Sequence, residues 1–161
     1  MLIKYLIRAL KEYWLEVNYF RKKKKYGDLR DIISRYYEYN EVVSVSLNDT
    51  LNTAYTIMKQ NSFSQLPVIE NSIVVGMVDE SDILLSVYQS KDKFNAKVFT
   101  VMSKILVKTT PDGSIDELID IFKQGYVAII EDTSGCFYGI ITQMDLINYL
   151  KNKVKYKSKH I

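Results

Sequence analysis

Cysteine is almost missing from this chain: Cys136 stands alone among 161 residues. An intrachain disulfide is thereby excluded, and so is a zinc site built on several cysteines. Histidine is equally scarce. The one example, His160, lies in a lysine-rich stretch near the C-terminus, where nothing would hold it rigid. Ser-His-Asp and Cys-His catalysis, and metal centres built on histidine, therefore have almost no raw material. Long apolar runs are also lacking, and none approaches the roughly 18–20 residues that a membrane span needs. The opening MLIKYLIRAL is apolar, but Lys4 and Arg8 interrupt it. No small-residue cleavage site follows, as a signal peptide would require. The expectation is a cytoplasmic, reduced protein with neither metal nor membrane anchor.

What is present is an ordinary globular composition, 47% hydrophobic and 25% charged, which argues against disorder. The length fits one domain or two very small ones, enough to support a real core. The net charge of +3 hides a segregation. Arg21 to Lys25 supply five basic residues, and Lys151, Lys153, Lys155, Lys157 and Lys159 supply five more. The rest of the chain holds 12 basic and 19 acidic residues, so an acidic body lies between basic flanks.

Residues 2–17 read as an amphipathic helix. Leu2, Leu6, Leu10, Tyr13, Trp14 and Val17 share a helical stripe, and Lys4, Arg8, Lys11 and Glu12 gather elsewhere. Such a face wants a partner: this chain's own core, a dimer mate or a membrane surface. The basic run Arg21–Lys25 reads as a solvated linker, because nucleic-acid sites usually interleave aromatics with spread charge. A second short helix is expected over Gly27–Tyr39.

The body then repeats itself, and repeats decide folds. The first unit opens with the alternating Val43–Ser46, after which Thr50 caps a helix carrying Leu51, Ala54, Tyr55 and Met58 on one stripe. The second opens at Val107–Thr110. Ser114 and Glu117 form a capping-box pattern there, ahead of Ile115, Leu118, Ile119 and Phe122. Each unit continues with a strand, a tight turn and a second strand: Leu66–Glu70 then Ile73–Val78, and Tyr126–Glu131 then Cys136–Ile141. A final helix closes each, near Glu80–Gln89 and Gln143–Lys153. Gly76 matches Gly139, and Asp82 matches Asp145. The pattern is β-α-β-β-α, twice. Two sheets packed across a pseudo-twofold axis would create two equivalent clefts.

Those residues resemble the CBS domain family. The segments GMVDESD (Gly76–Asp82) and GIITQMD (Gly139–Asp145) are similar to the family's closing motif: Gly, two apolar residues, Ser or Thr, two variable residues, then Asp. The second copy matches throughout; the first has Asp79 where the hydroxyl belongs. SQLPV (Ser64–Val68) resembles the middle strand, and the likeness spans about residues 41–152. YGDLRDII (Tyr26–Ile33), DTLNTAY (Asp49–Tyr55), SQLPVIE and VDESDILLSV (Val78–Val87) further resemble the C-terminal regulatory region of cystathionine β-synthase. Even the opening helix, with Trp14-Leu15, resembles the last helix of that enzyme's catalytic domain. No segment here supplies a pyridoxal-phosphate domain, so a regulatory chain without catalysis is implied, either an isolated fragment or a stand-alone relative. The implied fold is α+β: tandem repeats at 41–91 and 92–161, preceded by a helical segment and basic linker over 1–40.

The resemblance also implies a site for an adenosyl ligand between the repeats. Asp145 would accept both ribose hydroxyls, since a carboxylate offers two acceptor oxygens. Thr142 would meet a polar tail at the helix start. Met144 would wall the ribose and adenine, Phe63, Ser64, Gln65 and Leu66 would line the facing side, and backbone around Val42, Val43 and Ser44 would read the adenine edge. A weaker second cleft would use Asp82, with Asp79 repelling phosphate. An alternative stays open: Thr142 with Asp145, and Asp79 with Asp82, also fit a helix cap and its third-position acid with no ligand. The segments Asn61–Glu70 and Gly139–Asn148 contain no Lys or Arg. That absence favours S-adenosylmethionine over AMP or ATP, with Phe63 facing the sulfonium.

Two functions from different classes follow. One is a regulatory module in which the ligand reorients the repeats and an attached or partner enzyme senses it. The other is a structural dimerisation module with empty clefts. Nucleic-acid binding through the flanks is a weaker third reading, and intrinsic catalysis the weakest. A homodimer is expected through apolar helix positions Ile83, Leu84 and Val87, with Leu146, Ile147 and Leu150.

Overall fold

A computed structural model describes residues 25–157, with side chains described as far as Lys153. The expected helix over residues 2–17 lies outside the described residues.

Thr50 starts the first repeat's leading helix, α1 (Leu51–Asn61), its hydroxyl accepting the Thr53 N–H at 3.1 Å. Leu51, Ala54 and Met58 recur at helical spacing and are buried. The helix stops at Ser62, whose left-handed backbone returns its N–H to the Met58 carbonyl. Strand β1 (Gln65–Glu70) then pairs antiparallel with β2 (Ile73–Asp79), Leu66 opposite Val78 and Val68 opposite Gly76. Asn71 and Ser72 both take positive φ, the backbone that a two-residue hairpin turn needs to match strand twist. Helix α2 (Glu80–Gln89) closes the repeat.

The second repeat follows the same plan. Strand β3 (Lys108–Thr109) runs parallel to β4 (Ala128–Glu131), which pairs antiparallel with β5 (Phe137–Ile141). Helix α3 (Ile115–Lys123) lies between β3 and β4 in sequence, and α4 (Gln143–Lys157) follows β5. Ser114 caps α3 by accepting the Glu117 N–H at 3.1 Å. The reciprocal capping box appears instead at α2, between Asp79 and Asp82.

Two expected elements fail to form, both ahead of the first repeat's helix. Val43–Ser46 does not become a full strand. Val45 alone bridges Val68 in parallel, receiving the Ile69 N–H and donating to the Pro67 carbonyl. Gly27–Tyr39 is not a helix either. Asp28 caps a single 3-10 turn, Leu29–Ile32, and the chain is extended again at Ile33. Tertiary contacts override helical tendency there, because Tyr36 must reach a bridge with Gly139 on β5.

That bridge shows how the halves are assembled. Leu29, Ile32, Ile33 and Tyr36 precede the first repeat but sit in the second repeat's core, with Leu118, Ile121, Phe122, Ala128, Ile130, Ile141 and Leu146. Val98, at the start of the second repeat and ahead of β3, packs in the first repeat's core with Val45, Leu51, Leu66, Val68, Val78 and Ile83. Ser103 bridges Met77 on β2 as Tyr36 bridges Gly139 on β5. Each core is thus finished by the segment that leads into the other repeat. Val74 of β2 joins Ile129 and Phe137 in a third cluster, where the two sheets meet. The result is the expected tandem α+β arrangement with pseudo-twofold symmetry.

Candidate functional site

The start of α4 supplies the central acid. Thr142 precedes the helix, and both its N–H and its hydroxyl donate to Asp145 Oδ2, at 2.8 and 2.7 Å. The Thr142 hydroxyl oxygen faces the Asp145 N–H at 3.3 Å. The capping geometry anticipated for a ligand-free helix start is therefore present. One contact exceeds it. The hydroxyl of Ser34, 111 residues earlier in the chain, donates to Asp145 Oδ1. Asp145 is only 8% exposed, and a carboxylate so placed requires such donors.

Around this acid lies a cleft of about 780 Å³, within the range of small-molecule sites. Both repeats wall it, together with the segment before the first. Of the residues expected from the sequence, Asp145, Thr142, Met144, Phe63, Ser64, Gln65, Val42 and Val43 all line it. Leu66 does not. It is fully buried in the first core, while Gln65 and Pro67 face the cleft, because successive strand residues point to opposite faces.

The cleft also contains side chains outside the set expected from the sequence: Ser34, Arg35, Met77, Tyr126, Gln143 and Asn148 among them. Arg35 corrects the expectation of a lining without cations. Its guanidinium lies 4.4 Å from the centre of the Phe63 ring, taking the cation–π position that was assigned to a sulfonium. Among the described residues no carboxylate pairs with it. An internal echo in the sequence marks this segment: Ile32-Ile33-Ser34-Arg35 against Val101-Met102-Ser103-Lys104.

The backbone on either side of Ser34 and Arg35 is anchored. Upstream, Arg30 pairs with Asp28 at 2.6 Å and lies over the rings of Tyr26 and Tyr138, at 4.1 and 5.4 Å. That ion pair holds the Asp28 carboxyl below its ordinary range and pushes the Arg30 guanidinium further up. Downstream, the Tyr37 N–H donates to the Tyr138 carbonyl at 2.9 Å.

The pseudosymmetric counterpart is not an equivalent cleft. Asp79 and Asp82 cap one another: the Asp82 N–H donates to Asp79 and the Asp79 N–H to Asp82, at 2.8 and 3.0 Å. Partial burial, with neighbouring Asp79 adding to it, pushes the Asp82 carboxyl up despite that bond. Ser103, the counterpart of Ser34, instead accepts the Ile105 N–H at 3.2 Å. A recess of about 370 Å³ beside Asp82 draws its walls from α2 and the connection that follows it, with Lys93, Thr100 and Val101, and takes nothing from the second repeat's strands or from α3 and α4. Asp79 does not line it. The expectation of two equivalent clefts is replaced by one shared cleft and one shallow recess.

Chemically, the shared cleft offers a carboxylate for paired donors, the first-turn N–H groups of α4, and a guanidinium for an anion. Among the described residues no group of His, Cys, Asp and Glu is placed to hold a metal ion. No helix among them is long and apolar enough to cross a membrane.

Comparison with known proteins agrees with this architecture. The family model for the CBS domain matches residues 29–88 and 98–152. An uncharacterized protein of Methanocaldococcus jannaschii, MJ0188, is 34% identical over 115 residues, covering 69% of this chain but 41% of that protein. The chain thus spans less than half of that relative's length. Among solved structures, a putative acetoin utilization protein (AcuB) from Vibrio cholerae superposes with a TM-score of 0.72 at 20% identity, covering 83% of this chain and 97% of that one. CBSX2 in complex with AMP superposes with a TM-score of 0.65 at 16% identity, covering 78% and 96%. The first matched stretch begins at residue 29, so the crossing segment that carries Ser34 and Arg35 counts as part of the first repeat. On both the motif and the architecture, this chain belongs to the CBS domain family.

Proposed function

We propose that this chain is a regulatory module whose Asp145 cleft binds an adenosyl compound, with an adenosine phosphate such as AMP or ATP ahead of S-adenosylmethionine. The observation that carries the reading is the convergence of Asp145, the start of α4 and Arg35 on one cleft of about 780 Å³. Asp145 serves the ribose hydroxyls, and Thr142 and the helix start serve the polar tail. Met144, Phe63, Val42 and Val43 provide the apolar walls for the base. Arg35 turns the choice of tail toward an anion, because a sulfonium beside a guanidinium is repelled and a phosphate is attracted. CBSX2, which shares the fold, was crystallised with AMP.

Regulation requires the ligand to bind two states of the module unequally, and the cleft between repeats is placed to do that. The receiver is an attached or partner enzyme, of which the cystathionine β-synthase type is the one the sequence resemblance points to. A homodimer is part of the same proposal. A specific observation favours a second reading, a ligand-free dimerisation module: Asp145 already receives donors on both oxygens.

Calorimetry with AMP, adenosine and S-adenosylmethionine separates the two. AMP should bind more tightly than S-adenosylmethionine. Asp145→Asn should weaken AMP by at least roughly tenfold, the worth of about one hydrogen bond to a charged group. Arg35→Gln should weaken AMP by a similar factor while leaving adenosine little changed. Asp82→Asn should change neither. An absence of heat with all three ligands at millimolar concentration would establish the structural reading instead.

A further inference from the structure

We propose that Ser34 is an internal competitor for the Asp145 carboxylate, a built-in stand-in for a ligand hydroxyl that must leave before the ribose can dock. The inference rests on the adenosyl reading of the cleft and adds to it a latch. Asp145 Oδ2 is committed to Thr142 through two short bonds, both formed within the helix cap. Oδ1 is the oxygen that the cap leaves for another donor, and the Ser34 hydroxyl occupies it. A hydroxyl donating to a carboxylate is the same chemistry that a ribose hydroxyl would use. The two donors thus compete for the same acceptor.

The neighbouring residues make this a latch and not a passing contact. Ile33 is fully buried in the second core and Tyr36 nearly so, which pins the backbone on either side of Ser34. Ser34 itself is exposed along the cleft wall, so its side chain can turn away without disturbing that core. Arg35, next in the chain, sits on Phe63 across the same cleft. A ligand that takes Oδ1 with its ribose and Arg35 with an anionic tail therefore acts on two consecutive residues of one strap. That strap continues back through the Asp28–Arg30 anchor toward the N-terminal part of the chain. Occupancy of the cleft is linked to the strap by direct substitution of one hydrogen bond. The second repeat's counterpart offers no such device, since Ser103 bonds to Ile105 and not to Asp82.

AMP binding to the full chain, measured by calorimetry for the native protein, Ser34→Ala and Ser34→Thr, tests the latch. Removing the competing hydroxyl should tighten AMP by roughly threefold to tenfold, the equivalent of one hydrogen bond no longer broken on binding. Ser34→Thr keeps a hydroxyl and should bind less tightly than Ser34→Ala. Binding to Ser34→Ala that equals the native affinity, or is weaker, overturns the latch and makes Ser34 a bystander or a ligand contact, with the adenosyl reading intact. If neither the native chain nor Ser34→Ala binds AMP, the adenosyl reading itself fails and the latch goes with it. Binding by Ser34→Ala alone supports both.

Discussion

Gly139 lies directly beneath the carbonyl oxygen of Arg35. A Cβ added to Gly139 would stand 2.7 Å from that oxygen and 2.8 Å from Ile33 Cγ2. The strap that carries Ser34 and Arg35 can therefore cross β5 only over a glycine. Gly76, its counterpart on β2, is also covered, but by Met102 Sδ at 2.5 Å and the Ser103 carbonyl at 3.0 Å.

The two glycines should consequently respond differently to alanine. At Gly139 the obstacles are backbone and a β-branched side chain in a packed core, neither of which can yield cheaply. Gly139→Ala should cost about 1–3 kcal/mol, toward the upper end, as overpacking does. At Gly76 the nearest atom belongs to a flexible methionine that can swing away, so Gly76→Ala should cost less. Urea unfolding of the two variants provides the check. Equal losses would mean that the strap over Gly139 is free to lift.

Acid should loosen the second hairpin first. Asp132 begins the turn between β4 and β5, and its carboxylate accepts the Ser134 N–H, the Cys136 N–H and the Tyr138 hydroxyl, at 2.9, 3.0 and 3.0 Å. The Ser134 hydroxyl donates to it as well, and these bonds hold its pKa at about 2. A carboxyl depressed in the folded state stabilises above its ordinary unfolded value, and that contribution is lost as pH falls through the folded one. Native stability should thus decline between about pH 4 and pH 2, with Asp28 adding in the same direction. Asp132→Asn should lower stability at pH 7 and flatten the decline. Parallel pH curves for the native chain and the variant would remove Asp132 from the explanation.

Much of this architecture was legible because short-range chemistry marks it. Thr50 and Ser114 announce helix starts through hydroxyls that accept an N–H three residues on. Asn71-Ser72 marks the first hairpin by tolerating positive φ. Leu66 was misplaced for a physical reason: Leu66, Pro67 and Val68 are all buried, so no alternation distinguishes the face toward the cleft. The segment Gly27–Tyr39 failed because its conformation is set by a partner about 100 residues away, at Gly139. Ser34 and Arg35 escaped for the same reason. Their roles arise from the crossing of each leading segment into the other repeat; the echo of Ile32–Arg35 in Val101–Lys104 marks the segment but not the site that it reaches.

Assembly gives the last expectation. The helices named in advance bury part of their apolar set: Ile83 and Leu146 are in the cores, and Val87 is half-buried. What remains outside is Leu84, Leu85 and Tyr88 on α2, with Ile147 and Leu150 on α4; Tyr88 is 86% exposed. Isolated apolar residues on a surface need no partner, but three within five positions of one helix form a patch. Burying such side chains is worth roughly 1.5–3 kcal/mol each, enough in sum to offset the ordering cost of association. A two-fold homodimer uses the same patch on both chains and closes on itself. Sedimentation equilibrium at micromolar concentration should therefore return about twice the chain mass of 18.8 kDa. Leu84→Asp combined with Tyr88→Asp should return the monomer, because two charges would have to be desolvated at the shared face. Both positions are exposed, so the monomeric variant should keep its fold and its melting point should no longer depend on concentration. A native mass near 18.8 kDa would show that α2 keeps its apolar face in water, and the dimer would have to be abandoned.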